Sequence, residues 1–199
     1  MDNEQKTSIQ SIFSKIDEIN KYTALLLDEP NRVFFKKHHV PLSNNDNSEL
    51  GFTKLVSFLY ATLCDGENKI SKKNMSFIMG YTLPKLKTLA EDGNKLRANF
   101  QHFIENSDWS DRWFMDIIQD RYPSSSNQWN KCFENLTEAS ISGLDELLSF
   151  LQNKHFDKEF NDIFIESWKS KPDEGCLSST EYHSIFKEIK SGNVNPLRL

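Results

Sequence analysis

Three cysteines, six prolines and seven glycines are all that the 199 residues hold. Cys64, Cys132 and Cys176 are odd in number and far apart, which excludes a disulfide framework and a paired zinc knuckle. They read as buried or semi-buried thiols of a reducing compartment. So little Gly and Pro argues against a turn-rich β-sandwich or a collagen-like chain. No apolar run approaches the roughly 20 residues that a bilayer span requires; Tyr22 to Leu27 and Phe58 to Cys64 come nearest. Met1 to Ser8 is polar and lacks the apolar stretch of a secretory signal. A soluble cytoplasmic protein that does not enter membranes is the expectation. Nor is there an excess of positive charge. Against 24 basic residues stand 29 acidic ones, a net −5, which excludes non-specific coating of nucleic acid or anionic lipid.

Several chemistries are missing as well. The chain has no Walker-type phosphate loop, no Gly-rich dinucleotide turn, no nucleophile elbow and no EF-hand loop. No His pair at i, i+4 supports a helical metal site, and His38 and His39 are adjacent, which a strand or loop would aim apart. Acidic pairs such as Asp17-Glu18, Glu91-Asp92 and Asp173-Glu174 read as solvated surface. No metal and no cofactor are expected.

What the chain does have is aromatic and helical. Fifteen Phe and four Trp supply a core despite 37% hydrophobic residues overall. Ile9, Ile12, Phe13, Ile16, Ile19, Tyr22 and Leu26 recur at threes and fours, which predicts a first helix ending near Glu29, before Pro30. Residues 30 to 48 read as a flexible, turn-rich connector. Ser48 then caps a second helix carrying Phe52, Leu55, Val56, Leu59, Tyr60 and Leu63, ended by Asp65-Gly66. Ser71 is placed to cap a third, with Phe77 and Ile78 inside it and Pro84 marking a break or kink. Beyond Pro84, Leu86, Leu89, Leu96, Phe100 and Phe103 line one face, with Gly93 as a weak point.

Further helical stretches hold Trp109 to Ile118, then Trp129 to Leu136, then Leu144 to Leu151. Another runs from Phe156 to Phe164, and a last one holds Tyr182, Ile185, Phe186 and Ile189. The predicted fold is all-α, a compact bundle of about six to eight helices. Its main domain spans residues 1–168. Residues 169–199 form a loop, a short helix and a frayed tail from Ser191.

One constellation carries chemistry: Leu96-Arg97-Ala98-Asn99-Phe100-Gln101-His102 on the helix after Pro84. A permanently charged Arg binds phosphate and stabilises charge that develops on it. A His titrating near neutrality moves a proton during attack by a ribose 2′-hydroxyl. Five residues apart on a helix, the two positions point about 140° apart, so they straddle a face and do not meet directly. A second Arg-to-His run, Arg32 to His38, follows Pro30 in the connector and reads as accidental. Charge is polarised around the helical motif. Lys69 to Arg97 holds seven basic and two acidic residues, a net +5 that leaves the rest of the chain at −10.

The Arg-x4-His motif resembles the signature of the HEPN superfamily, small all-helical domains that include many metal-independent ribonucleases. The segment from Leu96 to Phe103 is also similar to bacterial HEPN-like proteins of conflict and abortive-infection systems, over about residues 50 to 150. A polar residue often follows the arginine in that family; here it is Ala98. The resemblance implies an endoribonuclease of a defence or toxin-type system, acting as a homodimer. Arg97 would bind phosphate, His102 would act as acid and base, and Asn99 would assist by hydrogen bonding. Lys95, Lys85 and Lys87 would contact the backbone of an RNA such as tRNA.

Structural readings stand beside these. Arg97 can pair with Glu105 or Asp108, and His102 can be a partly buried hydrogen-bonding residue. The Trp and Phe stripe reads as core, and His155 and His183 as structural or surface residues. A non-catalytic helical module binding a protein partner, as an adaptor, regulator or antitoxin-like subunit does, is the competing function; the acidic remainder of the chain suits a basic partner.

Overall fold

The structure, a computed structural model, describes residues 9–30, 32–36, 42, 48–64, 74–75, 77–102 and 108–169, with backbone alone at 101, 102, 108 and 158–163. Among the described residues there are six α-helices: α1 (Ile9–Leu27), α2 (Glu49–Leu63), α3 (Pro84–His102), α4 (Asp108–Ile118), α5 (Ser126–Phe156) and α6 (Lys158–Lys169). No strand occurs among the described residues, and the all-α bundle expected from the periodicity is what forms. The predicted last helix, with Tyr182 and His183, and the tail from Ser191 lie outside the described residues.

Helix ends follow local chemistry. The carbonyls of α1 are closed by Asp28 N–H on Leu25 O and Glu29 N–H on Ala24 O, with Asp28 in the left-handed region at φ 53°. That is a Schellman closure, in which Asp occupies the position glycine usually takes. The hydroxyl of Ser48 accepts from Gly51 N–H at 3.1 Å and starts α2 as expected. Pro84 is the first residue of α3, where its missing N–H costs nothing. Gly93 does not interrupt α3, because α2 lies against it, with Leu59 Cβ 3.7 Å from where a side chain would begin.

One sequence expectation needs correction. The stretches around Trp129 and Leu144 form a single helix of 31 residues. Nothing between Leu136 and Leu144 breaks it, and Gly143 serves packing. A Cβ there would sit 3.1 Å from Leu89 Cδ2 and 3.3 Å from both Leu86 Cα and Lys85 O, so glycine lets α3 cross close by. Helix α5 is the mast of the bundle and packs against every other described helix. Helix α1 runs alongside it in the same direction, with Lys15 paired to Asp145 near one end and the Tyr22 ring 6.0 Å from that of His155 near the other.

The described part of the connector, residues 32–36, is pinned to the bundle; most of the Ser43 to Ser48 run lies outside the described residues. Phe34 and Phe35 are fully buried. The side-chain oxygen of Asn20 accepts from both their N–H groups, at 2.9 and 2.8 Å, and its Nδ2 donates to Phe35 O. From the other side, Asn74 Nδ2 donates to Val33 O and Phe34 O, while its Oδ1 accepts from Trp168 Nε1 at 2.9 Å. Arg32 sits outside any helix and pairs with Glu29 at 3.5 Å. That suits the reading of the Arg32 run as accidental; His38 lies outside the described residues.

The aromatic residues are core, as expected, in two groups. Phe100, Trp113, Phe114 and Trp129 surround Phe52, with ring centres 5.6 to 6.2 Å away. Tyr81, Phe164 and Trp168 surround Phe77 at 5.2 to 5.9 Å. Phe156, in contrast, is 75% exposed at the end of α5.

Candidate functional site

Helix α3 carries every candidate residue, and its two ends differ. Lys85 and Lys87 project into solvent in its first turn. Between them, the Leu86 N–H donates to the Glu146 carboxylate of α5 at 3.0 Å. A free helix start attracts anions; here a carboxylate of the protein already fills that place. From a rise of about 1.5 Å per residue, Lys85 and Lys87 lie about 18 and 15 Å along the axis from Arg97. The structure therefore does not gather these lysines at the motif.

The other end of α3 is polar and only half-covered. Tyr60, Gly93 and Arg97 lie on the side where α2 packs, antiparallel to α3. The Arg97 guanidinium lies over the Tyr60 ring, 3.9 Å from its centre. Both residues are half-buried. Among the described residues no carboxylate pairs with Arg97; the backbone of Asp108 begins α4, and Glu105 lies outside the described residues. A stacked guanidinium spends its π face on the ring and keeps its in-plane N–H donors for something else.

On the opposite side of α3, Lys95 lies between Glu91, 3.9 Å away, and the Trp109 ring, 5.0 Å from its centre. Asp92 accepts a hydrogen bond from Trp113. Burial pushes the Asp92 carboxyl above the usual carboxylate range, with Glu91 adding to the rise, while the Trp113 bond and Lys95 hold it back. Asn99 is half-buried and has no hydrogen-bond partner among the described residues.

The backbone of His102 closes α3, two turns beyond Lys95 and on the same stripe. Its side chain lies outside the described residues. Lys95 and Arg97 point about 160° apart, so the two charges serve different faces. One chain thus separates the Arg97 side from the stripe of Lys95, Asn99 and His102.

Tyr60 is the site residue that the sequence does not single out. It fits the apolar period of α2, the helix expected there. Only the antiparallel pairing of α2 with α3 brings its ring under Arg97.

The two described thiols are ill suited to catalysis. Burial pushes the Cys64 thiol up to about 11 and that of Cys132 up to about 12, so neither is a ready thiolate. Among the described residues no three His, Cys, Asp or Glu side chains converge as a metal site requires, and no helix is long and apolar enough to cross a membrane. No protein-family model matches the chain. No curated protein and no solved structure matches it either.

Proposed function

We propose that the chain is a HEPN-type, metal-independent endoribonuclease. The observation that carries this reading is Arg97: half-buried, stacked on Tyr60, without a carboxylate partner among the described residues, and five residues before a histidine on one helix. A half-buried cation that no carboxylate of the described residues pairs is a place for an oxyanion. His102 takes the proton from a ribose 2′-hydroxyl, whose oxygen then attacks phosphorus. The bond from phosphorus to the 5′-oxygen breaks, that oxygen leaves with the proton that the His102 imidazolium gives back, and a 2′,3′-cyclic phosphate remains. Arg97 neutralises the charge that builds on the phosphoryl oxygens, and Asn99 assists by hydrogen bonding.

Because Arg97 and His102 diverge on the helix, a second copy completes the site, as the family resemblance implies. Lys95 contacts the RNA backbone nearby. Lys85 and Lys87 reach phosphates about five nucleotide steps away, at about 3.4 Å per step. A defence or toxin role in the cytoplasm, with tRNA among the substrates and a regulatory protein restraining the activity, rests on the resemblance.

The test is cleavage of total tRNA and structured RNA by the purified chain in excess chelator, beside Arg97→Ala and His102→Ala. Cleavage that survives chelation, leaves the cyclic phosphate and falls at least about 100-fold in either variant is the expected result. A folded wild-type chain that cuts no RNA overturns the proposal.

One observation favours a non-catalytic module instead. Phe156 is 75% and Leu25 51% exposed. Both belong to the end of the bundle where Tyr22, His155 and Phe156 are in ring contact. An apolar end of this kind suits a protein partner. A partner captured by the wild type, lost with Phe156→Ser and kept with Arg97→Ala would favour that reading.

A further inference from the structure

We infer that Tyr60 is the positioning residue for Arg97, an inference that rests on the ribonuclease reading and adds a residue of α2 to a site otherwise carried by α3. Arginine reaches its ligand on a long, flexible stem, and ordering that stem costs binding free energy. Tyr60 removes much of that cost before any anion arrives. Its ring lies 3.9 Å beneath the guanidinium carbon, which restrains that face of the group, and among the described residues no carboxylate pairs with its in-plane donors. The platform is itself held firmly. Helix α2 packs on α3 at this point, with Tyr60 N and Leu59 Cβ at 3.9 and 3.7 Å, ordinary contact distances, from where a Cβ at Gly93 would sit. The Tyr60 backbone therefore cannot move away from α3 without parting two packed helices.

The ring and not the hydroxyl does the positioning, since the contact is to the ring face. Tyr60 touches no reacting atom; it acts through Arg97 alone. What it pre-orients is a planar pair of donors, suited to two oxygens of one tetrahedral oxyanion: the phosphodiester of RNA, or free sulfate at the same edge.

The experiment uses the full chain with Tyr60→Phe, Tyr60→Leu, Arg97→Ala and the double variant Tyr60→Leu/Arg97→Ala. Steady-state RNA cleavage is measured in chelator, and thermal melts are recorded alongside. Tyr60→Phe is expected to keep kcat/KM within about twofold, while Tyr60→Leu lowers it about tenfold, the scale of one partly desolvated cation–π contact. In the Arg97→Ala background, Tyr60→Leu is expected to change nothing further, because its only route to the reaction has been removed. An equal loss in both backgrounds, or none in either, overturns the inference.

A second readout separates this result from the fate of the ribonuclease reading. The Arg97 Nε–H resonance is followed by NMR during sulfate titration. Sulfate is expected to shift it with similar affinity in wild type and Tyr60→Phe, and about tenfold more weakly in Tyr60→Leu. If wild type cuts no RNA, the ribonuclease reading fails and this titration still decides about Tyr60. Equal affinities in all three proteins, or no sulfate binding by wild type, overturn the positioning role.

Discussion

Two polar regions of the bundle stand in contrast. At the connector, Asn20 and Asn74 are surrounded by partners: two N–H groups and a carbonyl for the first, two carbonyls and an indole N–H for the second. At the far end of α3, Arg97 has a ring but no carboxylate among the described residues, and Asp92 is held in a half-buried place that disfavours its charge. The first pattern is what polar groups do when they serve architecture, because an unmade buried hydrogen bond costs more than a made one contributes. The second is what remains when a polar group is kept for something outside the fold.

If that contrast is right, variants at the two regions separate by their effect on stability. Asn74→Leu is expected to have the largest effect. It leaves Trp168 Nε1–H and the Val33 and Phe34 carbonyls without a partner, at a cost of about 3 kcal/mol, read from denaturant midpoints. Asn20→Ala strips the N–H groups of Phe34 and Phe35 of their acceptor and costs about 2 kcal/mol by the same measurement. Arg97→Ala is expected to cost only about 1 kcal/mol, the worth of one half-buried cation–π contact, while lowering cleavage at least about 100-fold. Should Arg97→Ala unfold the chain as Asn74→Leu does, the contrast breaks and Arg97 is architecture.

The smallest change is a gain. The Asp92 carboxyl is raised in the fold, so its neutral form is the stabilised one. That contribution is complete below the ordinary carboxylate value of about 4 and is lost as pH rises through the raised one. At pH 7 the charge therefore weakens the fold. Asp92→Asn keeps an acceptor for Trp113 and is expected to raise Tm at pH 7, with the gain over wild type vanishing near pH 4 in paired melts. A gain that persists at pH 4 would show that the charge is not its source.

Much of the architecture was legible in the sequence, because threes and fours of Ile, Leu and Phe have no other outlet than a helix face, Ser48 marks a start, and Pro84 marks a break that chain chemistry enforces. Two features escaped. The stretches Trp129 to Leu136 and Leu144 to Leu151 read as separate, whereas they form one helix in which Gly143 receives α3, far away in sequence. Phe34 and Phe35 stand among Asn, Ser and Pro residues, and nothing local says that Asn20 and Asn74 will pin them. At the site, the motif on α3 was visible as a spacing. Its platform was not, since Tyr60 satisfies the apolar period of α2 equally well with or without an arginine above it. Lys85 and Lys87 were grouped with Arg97 by nearness in sequence, and a straight helix places them at its other end.

The long mast of the bundle also sets an order of assembly. Helix α1 is made before the other described helices, yet its buried stripe from Ile9 to Leu27 packs mainly on α5, and the pairs that register it, Lys15 with Asp145 and Tyr22 with His155, join distant parts of the described chain. Contacts so distant in sequence carry the full entropy of closing the intervening loop, so they form late. During synthesis the opening helix therefore waits, its isoleucines in water, until nearly the whole bundle has emerged to receive it.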